Sequence, residues 1–465
     1  MFDVISKLPN ELFAQIFSFF NVFELAKLEQ VSKSWHTMIR KNPTLWKDDG
    51  FDGQKVFDVC ALQHEGKYKA MLEKSHGKLH RIFLPVYLSF KTQEEIEHLL
   101  NHLIKSEVQD LWIVIRVNST CPDHHRHTET DWTPKGRYQL REAVKTVIRT
   151  VVQCDKLKHL RLVAGDRVYV NIQDFGEPSK WPFAINRLRK LALHNINYDS
   201  LFPCEELYQC ISEVEDIEFR STGRPDNVID DERKDIWRFI STAKASLKRC
   251  RVRYTMDNRN SNLATFTPAT YAFPQMEQLY LSICEMQRTS TMQYLKCPRL
   301  KVLHAYTVSQ HKMVEQLLCN SLEELHIGLL PDEEQDRKSV LDKMERCTKV
   351  KKWIIKNSLG NADIEEMCVR LQRSPLEEVI LNDLSPDSIL KVKKMINDRL
   401  SGGSFTKIQK ATISIRKGGP KENEWLKKHV PKVDAYILPD RIHQRDALFR
   451  EQGLHYFELA ELLRS

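Results

Sequence analysis

The densest group of metal-ligating side chains in this sequence is Cys121, His124, His125 and His127, with Trp132 close behind. Zinc takes four nitrogen or sulfur ligands in a tetrahedron, and this group supplies that number. The spacing argues against a site, because His124, His125 and His127 crowd together with no helical pattern to place them. A polar loop over 117–137 is the expectation, and no metal is assigned. Eleven cysteines run from Cys60 to Cys368 without a Cys-x-x-Cys pair, which reads as free thiols in a reducing compartment. There is no phosphate-cradling glycine loop, no Gly-x-Ser-x-Gly and no zinc-binding ring of cysteine and histidine. No catalytic residue and no cofactor are therefore expected.

A second chemical feature is Lys248-Arg249-Cys250-Arg251-Val252-Arg253-Tyr254. Alternate side chains of a strand face opposite ways, so Arg249, Arg251 and Arg253 would project together. Arginine forks pair bidentately with carboxylate or phosphate, so such a surface suits an acidic or phosphorylated peptide. Two other readings remain: a solvated basic face, and a groove for single-stranded nucleic acid, which would show steep salt dependence. The net charge of +8 permits an acidic partner without demanding nucleic acid.

The elements that would position these residues recur along the chain as three apolar residues at i, i+3 and i+5. Examples are Leu79/Ile82/Leu84, Val108/Leu111/Ile113, Leu157/Leu160/Leu162, Leu188/Leu191/Leu193 and Val214/Ile217/Phe219. The pattern continues at Leu247, Met276, Leu300, Leu322, Val350, Leu376 and Ile408, and closes at Val433/Tyr436/Leu438. These intervals lie close to the 20–29-residue period of leucine-rich repeats. If the second and third residues of each triple point inward, their neighbours line the opposite face of a parallel sheet. The residues so placed to hold a target are His159, Arg161, Lys190, His194, Arg249, Arg251, Arg253, Tyr280, His304, Tyr306 and His326. Asp216, Glu218, Arg220, Gln278 and Glu324 share that face.

The N-terminus is organised differently. Leu8-Pro9-Asn10-Glu11-Leu12 opens a helix whose apolar residues Leu12, Phe13, Ile16, Phe17, Phe19 and Phe20 fill one continuous arc. A second apolar run holds Leu25 and Leu28, and a third holds Val31, Ser32, Trp35, Met38 and Ile39, before Pro43, Leu45 and Trp46 close the unit. Three short helices cannot hide that much apolar surface among themselves.

This stretch resembles the F-box. The resemblance implies docking onto the Skp adaptor of a cullin–RING ubiquitin ligase through Leu8, Pro9, Glu11, Leu12, Ile16, Phe20, Leu25, Leu28, Val31 and Trp35. Cullin and RING subunits would be reached through the adaptor, and an unidentified protein substrate through the repeats. Cys154, Cys297, Cys319 and Cys347 each precede a triple by three residues. They resemble the inward cysteines of leucine-rich repeats common in F-box proteins. The Asn or Cys expected after each triple is clearly met only at Cys284, so the repeats are degenerate.

The expected fold is α/β: a three-helix F-box over 1–50 and a linker helix over 51–78 lead into the repeats. These form a curved solenoid over 79–440, about 12–13 units with parallel strands on the concave face and helices on the convex face. Insertions fall at 117–137 and 221–235, and a helical cap occupies 441–465. No apolar run reaches the roughly eighteen residues of a membrane span, and no cleavable signal opens the chain, so cytoplasm and/or nucleus is expected. The function implied is that of a non-catalytic substrate-recognition subunit that directs targets to ubiquitination and proteasomal degradation. The alternative is a non-ligase scaffold that uses the F-box as a structural joint, as in a chromosome-associated assembly.

Overall fold

A computed structural model describes residues 8–20, 22–42, 45, 81–87, 101, 103–104, 108–116, 146–147, 149–164, 188–194 and 211–221. It further describes 236–256, 270–285, 294–305, 311–327, 334–355, 377–384, 390–391, 394, 410–415, 424, 428 and 433–437. The expected linker helix, the insertion over 117–137 with Cys121 and its histidines, residues 222–235 of the second insertion, Tyr306 and the C-terminal cap lie outside these residues. The chain forms two compact units, the first Met1–Ala264 with Tyr271–Met276, the second Thr265–Thr270 with Glu277–Ser465.

The first unit opens with helices α1 (Asn10–Phe17), α2 (Val22–Leu28) and α3 (Lys33–Lys41). Six strands follow: β1 (Arg81–Tyr87), β2 (Asp110–Arg116), β3 (His159–Ala164), β4 (Lys190–His194), β5 (Asp216–Ser221) and β6 (Arg249–Met256). Each pairs in parallel with the next in chain order. Helix α4 (Ile236–Ile240) precedes β6, and its Trp237 packs edge-on against Phe273 at 6.2 Å between ring centroids.

Two three-residue strands lie outside the parallel ladder, β7 (Thr270–Ala272) and β9 (Tyr294–Lys296). The parallel strands of the second unit are β8 (Gln278–Glu285), β10 (Val302–Ala305), β11 (Glu324–Ile327), β12 (Lys352–Ile355), β13 (Glu378–Leu384), β14 (Lys410–Ile415) and β15 (Val433–Ile437). These too pair in parallel and in chain order.

The register explains the apolar triples. Leu111, Leu160, Leu191, Ile217 and Cys250 stand in one row, and Ile113, Leu162, Leu193, Phe219 and Val252 in another. All are buried. In the second unit Leu279, Leu303 and Leu325 form one buried row, and Leu281, Ala305 and Ile327 another. A one-residue slip of any strand would turn its whole apolar set to the other face, which fixes the pairing.

Two backbone devices repeat with the triples. The carbonyl just before a strand accepts two N–H groups from the next unit, as Lys158 does from Arg189 at 2.7 Å and Lys190 at 3.1 Å. Similarly, Glu323 accepts from Lys351 at 2.7 Å and Lys352 at 3.2 Å. Upstream, the residue three before the first apolar position accepts that position's N–H: Cys154 from Leu157, Ile211 from Val214, Phe273 from Met276 and Cys297 from Leu300. Cys319 and Cys347 do the same for Leu322 and Val350. Buried Ile211 and Phe273 at this position show that it asks for an apolar side chain, not for thiol chemistry.

Burial pushes the thiols of Cys154, Cys297 and Cys347 up to about 12. At neutral pH they are protonated and shielded, hence poor nucleophiles. Iodoacetamide at pH 7.5, read residue by residue by mass spectrometry, should leave these three unlabelled until denaturant unfolds the chain.

The structure departs from expectation in two places. The final triple is out of register: Ala411 pairs with Val433 and Ile413 with Ala435, which puts Tyr436 on the row of Ser414. The spacing i, i+3, i+5 is met equally by Val430, Val433 and Ala435, and strand pairing selects that set. Among the described residues, helices are also fewer than strands. After the first three come α4, α5 (His311–Leu317) and α6 (Glu334–Glu345), and described residues 101, 103–104, 146–147, 149–151, 390–391, 394, 424 and 428 are also helical. Between β8 and β10 the chain is extended at β9 instead.

Candidate functional site

The N-terminal helices are built around stacked aromatic rings. Phe13 and Phe17 stack with ring centroids 4.0 Å apart, and Trp35 meets Phe17 edge-on at 5.2 Å. The Val31-Ser32-x-x-Trp35 motif has a mechanical reason, since Ser32 Oγ accepts the Trp35 N–H at 3.1 Å and caps α3. That cap sets where α3 begins and so aims Trp35 at Phe17. Beneath them Glu29 is buried, with Arg40 Nε at 3.5 Å from one carboxylate oxygen and His36 Nδ1 at 3.9 Å from the other.

The continuous apolar arc of the first helix divides into two faces. Phe13 and Phe17 turn inward, while Phe19 is 87% exposed, Val31 60%, Leu12 48%, Ile16 40% and Phe20 38%. Leu12, Ile16, Phe19 and Phe20 follow the helical spacing of a single stripe. Of the residues expected to meet an adaptor, Leu12, Ile16, Phe20 and Val31 are therefore outward, as are Pro9 and Glu11. Leu8, Leu28 and Trp35 are half-buried, and Leu25 is fully buried in the internal core. Pro9 stands at the N-cap and its carbonyl accepts the Phe13 N–H at 3.0 Å, just outside the first helical turn. Phe19 is the most exposed of the stripe and was legible only as part of the arc.

On the first unit's sheet, the face opposite the buried rows carries an ionic cluster centred on Glu218. Its Oε1 lies 2.6 Å from His194 Nε2, and its Oε2 lies 3.4 Å from Arg161 and 3.3 Å from Arg251. Ala192 stands between Arg161 and Glu218 in the register, and its small side chain lets Arg161 reach across β4. Trp112, one strand further, underlies the Arg161 guanidinium at 4.9 Å, a cation–π contact. Burial by itself would raise the Glu218 pKa. The His194 hydrogen bond and the charges of His194, Arg161 and Arg251 outweigh it and hold the carboxyl well below the usual range.

The row at the N-terminal end of these strands is also paired, with Asp110 3.5 Å from His159 and Asp216 3.3 Å from Arg249. Lys190 stands between His159 and Asp216 in that row and is exposed. Thus Arg249 and Arg251 hold carboxylates of β5, and Arg253 lies in register with Arg220. Alternation of Asp216, Glu218 and Arg220 against Arg249, Arg251 and Arg253 was the sequence signal for this pairing. Trp112 was missed, although it occupies the same place in its triple as Arg161 does in the next.

The second unit groups Tyr280, His304 and His326 in one register row. Tyr280 meets His304 at 4.4 Å and His304 meets His326 at 4.9 Å, both edge to face. His304 Nε2 is held by Glu324 Oε1 at 2.8 Å, and Lys352 bridges Glu324 and Glu378 at 3.7 Å each. The two sets of sheet residues thus form one group in each unit.

No group of three or more candidate metal ligands occurs among the described residues, and no described helix is long and apolar enough to cross a membrane. Compared with known proteins, residues 5–49 match the family model described as F-box-like. No curated protein matches the chain.

Proposed function

We propose that this chain is a non-catalytic substrate receptor of a cullin–RING ubiquitin ligase. The observation that carries the reading is the F-box-like match over residues 5–49, coincident with the outward apolar stripe of Leu12, Ile16, Phe19 and Phe20. A contiguous apolar patch on a small helical subdomain is costly to leave in water and marks a protein interface. The Skp adaptor is the partner that such a domain takes, and cullin and RING subunits follow through it. The body of the chain is then a degenerate leucine-rich-repeat solenoid whose polar sheet face holds the target. Catalysis belongs to the assembly, which raises the local concentration of target lysines near charged ubiquitin.

The test compares affinity purification of the intact chain with that of a Leu8→Ala/Pro9→Ala variant, read by mass spectrometry. The receptor reading expects adaptor and cullin with the intact chain only, and further partners with both. Those further partners should accumulate in cells when the chain is deleted. Adaptor recovered without cullin, in a fixed stoichiometric set of proteins whose levels do not respond to deletion, would instead make the F-box a structural joint.

A further inference from the structure

We propose that Cys319 and Cys297 are a peroxide-sensitive thiol pair that closes into a disulfide between neighbouring turns of the second unit. The site is separate from the outward helical stripe and from the polar sheet face, and it does not depend on the ligase reading.

Cys297, Cys319 and Cys347 occupy one place in three successive turns. Each carbonyl accepts the N–H of the residue three further on, at 3.2 Å in all three turns. Each cysteine also stands five residues before a set of register partners, Val302 of β10, Glu324 of β11 and Lys352 of β12. The ladder reaches back toward them, since the Lys301 carbonyl accepts the Glu323 and Glu324 N–H groups at 2.8 and 3.0 Å. Side chains tie the first two turns together. Ser321 Oγ donates to the Leu300 carbonyl at 2.8 Å and lies 3.5 Å from the carbonyl of Pro298, next to Cys297. Cys319 Sγ itself reaches over to the Leu300 carbonyl at 3.9 Å. Neighbouring chains of a parallel ladder lie about 4.8 Å apart, inside the roughly 4.4–6.8 Å between Cα atoms that a disulfide takes. Cys347 Sγ turns instead to the Lys343 carbonyl of the helix that precedes it, at 3.5 Å. After burial, the neighbouring Cys319 pushes the Cys297 and Cys347 thiols up, so it lies near each.

The place itself asks for an apolar side chain, which buried Cys297 and Cys347 satisfy. Cys319 differs, because it is half-buried beside exposed Asn320, and its Sγ meets Ser321 Oγ at 3.1 Å. A thiol that solvent reaches, next to a sheltered second thiol, is the arrangement that redox-sensing cysteines use. The Cys319 thiolate attacks hydrogen peroxide: an S–O bond forms, the O–O bond breaks, and the leaving hydroxide takes up the proton that Cys319 released. The Cys297 sulfur then attacks the sulfenic sulfur of Cys319. An S–S bond forms, the S–O bond breaks, and the second hydroxide leaves as water with the Cys297 proton. Two thiols thus give two electrons to one peroxide, and two waters result. Cys297 is protonated and shielded from the oxidant, and proximity rather than nucleophilicity makes it the partner. In a reducing compartment the bond is transient, because thiol exchange reopens it.

The test exposes the folded, fully reduced full chain to hydrogen peroxide and blocks the remaining thiols with N-ethylmaleimide before unfolding. Tryptic peptides are then mapped by mass spectrometry without reductant. Cleavage after Lys296, Arg299, Lys312, Arg337, Arg346 and Lys349 puts the three cysteines on separate peptides. The Cys297–Cys319 pair should exceed the Cys319–Cys347 pair on the order of tenfold, and dithiothreitol should reverse it. In Cys297→Ala, Cys319 should persist as the sulfenic acid and be trapped by dimedone, whereas Cys319→Ser should leave Cys297 reduced. If either variant melts below the parent, the parent's own peptide map decides. Absence of the Cys297–Cys319 peptide, pairing of Cys319 with Cys347 in equal or greater amount, or the same set of pairs from a urea-unfolded chain overturns the proposal.

Discussion

A chain carrying Ile16→Glu and Phe20→Glu should fold as the parent does and bind the Skp adaptor at least about 100-fold more weakly. Both side chains are outward, at 40% and 38% exposure, so new carboxylates there remain solvated in the free chain. In a docked complex the same carboxylates would be buried without partners. Each unpaired charge costs more than the roughly 1–3 kcal/mol of a buried neutral polar group, enough together for the stated loss. Phe17→Ala, one residue from Ile16, should behave in the opposite way. Phe17 is buried between Phe13 and Trp35, and its truncation costs about 3–5 kcal/mol of local stability. Binding would then fail because the helices come apart, which far-ultraviolet circular dichroism and limited proteolysis would register. Adaptor titration together with a thermal melt on both variants separates the two faces of the helix. Parent-like affinity in the Glu variant would show that the exposed stripe does not dock.

Removing the Glu218 carboxylate should be the most destabilising single change on the polar face of the first unit's sheet. Glu218→Ala leaves Arg161, Arg251 and His194 facing one another around a sheltered space. Breaking a fully buried ion pair by deleting one partner costs about 3–5 kcal/mol, and this half-buried cluster should lose a discounted part of that. Changing Arg161, Glu218 and Arg251 together to apolar residues should recover much of that loss, because no charge is then stranded. The pH dependence has a definite sign. The folded-state pKa of Glu218 is depressed, so its contribution is full above the ordinary glutamate value of about 4.3. It falls away as pH drops below that value toward the folded one. Urea titrations of parent and Glu218→Ala at pH 7 and pH 3.5 should therefore differ widely at the first and less at the second. A constant gap across that range would mean that the carboxylate contributes packing rather than charge.

Much of the architecture was legible because two periodicities do not compete. Leu160 and Leu162, or Leu191 and Leu193, can share a buried face only in an extended strand, and their spacing from Leu157 and Leu188 marks the turn before each. Register was less legible where several offsets satisfied the same rule, as at Val433, and only strand pairing chose between them. Charge alternation on β5 and β6 stood in the sequence, but its consequence depended on the β5–β6 register: Arg249 and Arg251 meet Asp216 and Glu218 instead of forming a bare basic strand. Reach across an intervening strand, as from Arg161 over Ala192 to Glu218, has no sequence signature. The N-terminal helix shows the same limit in another form. Hydrophobicity placed Phe13 and Phe19 in one arc, and packing of Phe17 against Phe13 and Trp35 decided which side faces water.

Hydrogen–deuterium exchange of the intact chain, alone and mixed with purified Skp adaptor, tests the central claim most directly. Docking predicts a stoichiometric complex with slowed exchange over residues 8–35, greatest at Leu12, Ile16, Phe19 and Phe20, and little change in β2–β6. No complex at micromolar concentration, or protection confined to the sheet strands, would contradict it.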